Sequence, residues 1–230
     1  MRGELRDLQA PEPLIRVLDD TTRVLATFSA VFFVVDPLAV VPLFIAMTPG
    51  DDARKRAGMA ARACLVATAV LLAFAVGGQA LFHLFAITLP AFRIASGILL
   101  LMTALEQLQS RSPPATRTTG IELAEAAAKD DISIVPLAMP LLAGPGAIAT
   151  VMVLASESRT PMQTGTVIGS VLLTMALTWA LLRVAERVDR FLGPTVRAIL
   201  VRVTGLLLAA VGVQFILSAL LEAFPGLASP

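Results

Sequence analysis

A chain of 230 residues with 57% hydrophobic and 15% charged residues is too apolar for a soluble domain, in which about a quarter of the residues are charged. Its net charge of +1 gives no basic face for nucleic acid. Cys64 is the single cysteine, which excludes an internal disulfide and a cysteine-based metal site. The sequence contains no nucleophile–histidine–carboxylate pattern and no cluster of metal ligands. We therefore predict an integral membrane protein without enzymatic activity, cofactor or metal.

Six apolar segments follow a polar, amphipathic N-terminal tail of residues 1–23. Each segment is long enough to cross about 30 Å of hydrocarbon, which takes about 20 helical residues. The sequence thus predicts an all-α membrane protein with six transmembrane helices. The predicted spans are residues 24–47, 60–81, 87–106, 132–155, 163–184 and 200–222.

A connector rich in Ser, Thr, Pro and Arg divides the chain at residues 107–131. Such a composition is typical of a flexible linker. It separates a first three-helix unit, residues 24–106, from a second unit, residues 132–222, and a C-terminal tail of residues 223–230 follows.

The two units resemble each other at a constant spacing of 108 residues. Because each unit has an odd number of spans, the second must enter the membrane from the opposite face. We therefore predict two inverted three-helix repeats, an architecture that recurs in secondary transporters. The residues paired at this spacing are Asp36 with Gly144, Pro37 with Pro145, Gly97 with Gly205, and Glu106 with Gln214.

Asp36-Pro37 lies at the middle of the first span and predicts a helix break, because proline lacks an N–H and clashes with the preceding turn. Asp is a good N-cap, and Pro is favoured at the first helical position. A new half-helix is therefore expected from Pro37 to about Met47. Pro42 is expected to loosen the first span further.

Gly144-Pro145-Gly146 predicts an equivalent break at the middle of the fourth span. Gly144 is the expected cap and Pro145 the expected first residue of the second half-helix. Pro136 and Pro140 are expected to loosen the helix that leads to this break.

The two half-helices start at mid-membrane in inverted repeats, so their N-termini are expected to converge. Each exposes unpaired N–H groups and about +0.5 of an elementary charge. An ionised Asp36 balances these two ends, which favours a zwitterion over a free anion. Asp36 is either a structural cap or a ligand for solute, proton or cation; acids inside membranes are costly and are functional candidates by default. The predicted site comprises Asp36, Pro37, Gly144, Pro145 and Gly146.

Four further polar residues are secondary candidates for the solute path. Arg93 and Arg202 lie at the starts of the third and sixth spans, where the simpler interpretation is an interfacial anchor. Glu106 and Gln214 are candidates to line the path, with the headgroup boundary as the alternative for Glu106.

Four stretches of the chain stand out as a set: Phe32–Phe44, Phe92–Leu100, Val135–Ile148, and Arg202–Leu208 with Gly212–Ile216. Together they resemble the MarC family of bacterial and archaeal inner-membrane proteins, and the resemblance extends from about residue 25 to residue 227. The segment from Pro136 to Gly146 is the most specific. Family members usually have Asn-Pro where this chain has Asp36-Pro37, and often Gly-Gly where it has Ser96-Gly97.

The resemblance implies a six-span protein of the bacterial cytoplasmic membrane, and some family members are described as transporters of small neutral amino acids. The leading hypothesis is therefore a secondary transporter of a small solute, in the first place a neutral amino acid, with H⁺ or Na⁺ as possible coupling ions. No P-loop for ATP is present. A small-solute channel and an accessory membrane protein without transport activity are the alternatives.

The distribution of basic residues predicts the orientation. The first, third and fifth connectors, together with the span ends that flank them, carry twelve of the eighteen basic residues, and cytoplasmic loops are enriched in Lys and Arg. We expect these connectors in the cytoplasm and both termini outside it.

In a Cys64→Ala background, a cysteine at Pro113 should resist an impermeant thiol reagent applied to intact cells, whereas one at Ser158 should react. Labelling at Pro113 would contradict this orientation.

Overall fold

A computed structural model describes residues 12–109 and 131–224 of the chain. All regular elements in these two ranges are helical. The helices are α1 (Glu12–Val35), α2 (Pro37–Met47), α3 (Ala53–Phe85), α4 (Leu89–Gln109), α5 (Ser133–Leu142, of π-helical type), α6 (Pro145–Ser156), α7 (Pro161–Arg183) and α8 (Ala185–Ala223).

Five helical stretches are long and apolar enough to cross a membrane, and the bent pair α5–α6 makes a sixth if it is counted as one span. One of the five, Thr21–Met47, combines most of α1 with α2. The apolar part of the 39-residue helix α8 is Ala198–Ala223, and it follows Gly193, whose φ of 60° interrupts the helical backbone. An all-helical membrane protein is therefore confirmed, with spans judged by length and composition.

Three boundaries differ from the sequence prediction. Helix α1 begins at Glu12, so the last part of the N-terminal tail is helical and continuous with the first span. Helix α4 continues to Gln109, so the linker prediction was wrong for residues 107–109. The rest of the linker, except residue 131, and most of the C-terminal tail lie outside the described residues.

The first helix break lies at Asp36, as predicted. Asp36 has φ 50° and ψ 62°, a left-handed conformation that Asp tolerates better than most residues. The half-helix that follows runs from Pro37 to Met47, the predicted bounds. The prediction for Pro42 was wrong, because α2 continues through this residue without a break.

The second break lies at Ala143 and Gly144, where α5 and α6 meet with a bend of 57°. Within α5 the backbone is non-helical at Val135 and Met139. Each of these residues directly precedes a proline, and the proline ring disfavours the helical conformation in the residue before it. The expected loosening of this segment by its two prolines is confirmed.

Helices α1, α2, α3, α5, α6 and α7 contribute to the main core, and α4 packs along α8. Many side chains that face outward are large and apolar; Leu65, Val76 and Leu84 are each more than 70% exposed. Several polar side chains are buried instead, as is usual where lipid surrounds the bundle. They include Asp36, Arg93, Thr150, Thr174 and Thr204.

Ion pairs join the connectors at one end of the bundle. Arg56 pairs with Glu186 at 2.5 Å, and Arg62 pairs with Asp131 at 2.7 Å. The Ser133 hydroxyl and backbone N–H both donate to Asp131, and these hydrogen bonds, with the charge of Arg62, hold the pKa of that carboxyl below its usual range. The first, third and fifth connectors meet here, and we call this the linker end.

A different cluster of charges lies at the opposite end of the bundle. Arg93 of α4 pairs with Glu157, which follows α6, and with Glu222 in the last turn of α8. The second and fourth connectors and the end of α8 meet here. We call this the Arg93 end.

Helices α4 and α8 cross so closely that their backbones touch. A Cβ atom added to Gly97 would lie 2.5 Å from the backbone oxygen of Gly212, and one added to Gly212 would lie 2.8 Å from that of Gly97. Small residues at such crossings allow membrane helices to associate through backbone contacts.

This crossing should be the most sensitive helix contact in the bundle. We expect Gly97→Ala to lower the free energy of unfolding by about 1–3 kcal/mol, because a methyl group must displace a backbone. Gly169→Ala is the matched control, since a Cβ there meets nothing within 4 Å. The thiol reactivity of buried Cys64 during heating in detergent reports unfolding. Equal midpoints for the two variants would contradict the close crossing.

Candidate functional site between the two helix breaks

A cavity of about 510 Å³ lies beside both helix breaks. The α1–α2 break and the α5–α6 break each contribute to its wall, so the expected convergence of the two half-helices on one space is observed. Helix α4 and one residue of α8 complete the lining. The residues around it are Val34, Val35, Asp36, Ala39, Val40, Leu43, Leu100, Thr103, Glu106, Gln107, Pro140, Leu141, Gly144, Pro145, Gly146, Ala147 and Leu208.

Asp36 is the buried acid of this cavity, with only 7% of its surface exposed. Its Oδ1 accepts a hydrogen bond of 3.4 Å from the backbone N–H of Ala39, so Asp36 caps α2 as predicted. Its Oδ2 accepts a hydrogen bond of 2.9 Å from Nε2 of Gln107. The carboxylate therefore has one donor on its own half-helix and another on α4.

Gln107 is held in turn by Thr204 of α8. The Thr204 hydroxyl lies 3.2 Å from Oε1 of Gln107, while Nε2 of the same amide donates to Asp36. These two contacts determine which way the Gln107 amide is oriented, because a carboxylate only accepts hydrogen bonds and a hydroxyl can donate one. A polar chain thus connects the first break to the α4–α8 pair inside an otherwise apolar region.

Sequence analysis missed both Gln107 and Thr204. Gln107 was assigned to the linker because the third span was predicted to end at residue 106, whereas α4 ends at Gln109. Thr204 stands in the apolar run of α8 without any motif that marks it. The one available signal was the polar pair Glu106-Gln107, which directly follows the apolar run of α4.

The N-terminus of α6 has no side-chain cap. The first bond of this helix runs from the N–H of Ile148 to the oxygen of Gly144, at 3.0 Å. The N–H groups of the first turn have no acceptor within their own helix, and Gly146 and Ala147, which carry such groups, both line the cavity. This end of the cavity therefore offers hydrogen-bond donors.

Gly144 keeps this helix end open. A Cβ atom at this position would lie 2.8 Å from the backbone oxygen of Pro140. The residues that usually cap helices, such as Asp and Ser, are therefore too large for the position. The two breaks differ for this reason: a carboxylate caps α2, whereas α6 is capped by glycine alone.

The cavity thus has the carboxyl group of Asp36 on one side, N–H donors on another, and apolar walls. The walls include Val34, Val40, Leu43, Leu100 and Leu208. A molecule with an ammonium group, a carboxylate and a small apolar part matches this arrangement. Within the described ranges, no group of three or more His, Cys, Asp or Glu residues is arranged to hold a metal ion.

Only some of the remaining predicted site residues line the cavity. Pro145 lines the cavity, and so does Glu106, whose side chain is exposed. Pro37 is buried at the start of α2 and does not line the cavity. Arg202 is exposed and Gln214 bonds to Ser218 on its own helix; neither lines the cavity.

The interpretation of Arg93 as an interfacial anchor was wrong. Only 9% of the residue is exposed, and its guanidinium donates to the carboxylates of Glu157 and Glu222. Both acids are remote in sequence, at separations of 64 and 129 residues. Arg93 therefore binds within the bundle and does not extend toward lipid headgroups.

The Asp36–Gln107 contact predicts a measurable coupling. We expect Gln107→Leu to lower the free energy of unfolding by about 1–3 kcal/mol, because it leaves a buried acceptor without its donor. A double-mutant cycle with Asp36→Leu isolates the pairwise part. The control is Gln214→Leu, which removes an exposed glutamine from α8. Additive effects of Gln107→Leu and Asp36→Leu would mean that this hydrogen bond contributes nothing.

Comparison with known proteins agrees with this architecture. The family model for MarC family integral membrane proteins matches residues 21–224. A UPF0056 membrane protein of Methanocaldococcus jannaschii is 37% identical over 84% of this chain and 93% of its own length. The UPF0056 membrane protein YvbG of Bacillus subtilis is 34% identical over 88% of this chain and 96% of its own. The UPF0056 membrane protein YhcE of Escherichia coli is 32% identical over 87% of this chain and 93% of its own length.

No solved structure matches the chain. The family match covers both helix breaks, helix α4 and the whole α5–α6 segment, so it includes every residue that lines the cavity. The chain is therefore a member of the MarC family of integral membrane proteins.

Proposed function

We propose that the protein is a secondary transporter that carries a small zwitterionic solute, in the first place a neutral amino acid, across the cytoplasmic membrane. One observation carries the proposal: the buried carboxylate of Asp36 and the uncapped N-terminus of α6 line the same cavity. Neither feature alone indicates a zwitterion. Together they complement both of its charged groups.

The solute would bind with its ammonium group at Asp36 and its carboxylate at the first turn of α6. Backbone N–H groups and the helix dipole favour an anion at a helix N-terminus. Half-helix ends serve this purpose at the midplane sites of secondary transporters. The apolar walls would accommodate a small apolar side chain and would not stabilise a charged one.

Asp36 is also the proposed point of coupling to H⁺ or Na⁺. It is the one acid among the buried residues of the described ranges, and an acid within membrane spans is a functional candidate by default. Its second oxygen is fixed by Gln107, so a proton or cation bound there would meet a carboxylate of defined orientation.

The packing of the helices supports the inverted repeat that such a transporter would use. Exchanging the two units exchanges α1 with α5, α2 with α6, α3 with α7, and α4 with α8. The contacts of α6 with α3 and α4 are matched by contacts of α2 with α7 and α8. Likewise, the α1–α7 contact is matched by the α5–α3 contact.

The α4–α8 crossing supports the same relation at residue level. Gly97 faces Gly212, and Gly205 faces Ala104. The spacing of 108 residues relates Gly97 to Gly205 and Ala104 to Gly212. One contact therefore becomes the other when the units are exchanged. In the proposed orientation the linker end faces the cytoplasm.

Uptake into reconstituted vesicles tests the function. We expect saturable uptake of labelled glycine or alanine, competition by other small neutral amino acids, and a lack of competition by lysine or glutamate. Flux that rises linearly with concentration would favour a channel. If neither uptake nor exchange occurred for any amino acid in the panel, the proposal would be wrong.

Replacing the acid separates coupling from binding. Asp36→Asn keeps a good N-cap and a similar shape but removes the carboxylate. We expect counterflow exchange to continue but to need a higher solute concentration, because the Asn oxygen still accepts from the ammonium group without carrying a charge. Accumulation against a gradient driven by H⁺ or Na⁺ should fall to the equilibrium level. Glu186→Gln, which removes an exposed carboxylate at the linker end, is the control. Equal accumulation by wild type and Asp36→Asn would reduce Asp36 to a structural cap.

A further inference from the structure

We propose that Arg93, held between Glu157 and Glu222, is the gate that closes the cavity at the Arg93 end, and that Arg202 forms the equivalent gate with Asp51 at the linker end in the alternate conformation. The proposal rests on the proposed transport function, since a gate at each end is what alternating access requires. Its test, however, measures accessibility and requires no solute.

Arg93 joins three helices through one buried cation. It belongs to α4, whereas Glu157 follows α6 and Glu222 lies in the last turn of α8. Nη2 donates to Glu157 and Nη1 donates to Glu222. A buried charge is stable only when it is paired, so the cation holds these helix ends together while both acids remain in place.

The cavity ends before this cluster along α4 and α8. The residues of α4 that line it are Leu100, Thr103, Glu106 and Gln107, so no lining residue of α4 lies on the Arg93 side of Leu100. Between Leu100 and Arg93 lies the Gly97–Gly212 crossing, where the backbones of α4 and α8 touch. A separate apolar cavity of about 390 Å³ lies on that side between α3, α4 and α6 and shares Pro145 with the first. The first cavity therefore has no opening to the Arg93 end between α4 and α8.

The cavity extends along α4 toward the linker end. Thr103 and Glu106, on the linker side of Leu100, line the cavity and are also exposed. Arg202 lies toward that end of α8 and is exposed. No ion pair joins it to another residue in the two described ranges. The molecule thus has one arginine buried and paired, and the other exposed.

The repeat makes these two arginines counterparts. Arg93 precedes Gly97, and Arg202 precedes Gly205, with a slip of one residue in an otherwise constant spacing. The contact of α4 with α6 corresponds to the contact of α8 with α2. An acid follows each half-helix: Glu157 caps the end of α6, and Asp51 comes three residues after Thr48, the cap of α2.

Asp51 is engaged elsewhere in this conformation. Its carboxylate pairs with Nζ of Lys55, one turn along α3, at 2.7 Å. Exposed pairs of this type are weak, so exchange of Lys55 for Arg202 is feasible when the linker end closes. The two gates would then be used alternately: Arg93 is paired when the linker end is open, and Arg202 is paired when the Arg93 end is open.

A cysteine inside the cavity reports which end is open. Thr103→Cys in the Cys64→Ala background is placed in vesicles of known orientation and treated with an impermeant thiol reagent from each face. A Ser158→Cys variant identifies the face of the Arg93 end. With the gate intact, we expect labelling of the Thr103 position from the opposite face only.

Removing both acids should open the Arg93 end. In the combined variant Glu157→Gln and Glu222→Gln, we expect labelling from that face to become at least about tenfold faster, a factor that corresponds to ~1.4 kcal/mol. Glu186→Gln, which removes an acid from an ion pair at the other end, should leave this rate unchanged. Arg93→Lys keeps the charge but loses the two-pronged contact and should give an intermediate rate.

The proposed Arg202–Asp51 pair is tested in the combined variant, in which the Arg93 end is expected to be open. Adding Asp51→Asn to the combined variant removes the proposed partner of Arg202, so we expect labelling from the Arg93 end to fall again as the linker end reopens. An unchanged rate would overturn the Arg202–Asp51 pairing, and no increase in the combined variant or in Arg93→Lys would overturn the gate itself. If the labelling rates change as expected but the vesicles transport no amino acid, the gate would be supported and the proposed substrate would be wrong.

Discussion

A helix interrupted inside a bilayer leaves backbone N–H and C=O groups without partners, and lipid supplies none. This constraint organises the whole molecule. The break before α2 is satisfied by its own Asp36 and by Gln107 on α4. The break before α6 is instead enclosed by neighbouring helices and directed into a cavity. Helix α8 packs on α2 and helix α4 packs on α6, so the closely crossed α4–α8 pair covers both interruptions.

The sequence predicted those features that depend on local chemistry. Proline in a span, with a capping residue before it, determines where a helix stops and restarts, and the bounds of α2 and the start of α6 follow from that alone. Pro42 shows the limit of the rule. Within a short half-helix, proline removes one helical hydrogen bond, yet α2 continues through this residue to Met47.

Features that depend on distant contacts could not be read in this way. An arginine near the end of a span looks the same in sequence whether it extends to lipid headgroups or pairs with acids 64 and 129 residues away. Gln107 was similarly hidden, because its role comes from facing Asp36 and Thr204 across two helix interfaces. Apolar periodicity identifies which segments enter the membrane, but it does not specify which polar side chains meet there.

The carbonyl of Pro140, which leaves no space for a side chain at Gly144, has a consequence for any molecule that enters the cavity. Without that contact, both half-helices would be free to carry similar caps, and the cavity would have two similar ends. With it, one end is a carboxylate and the other is bare backbone. A bound molecule with two unlike ends fits between them in one orientation only, so two half-helices that each begin with a proline produce a cavity with a polarity.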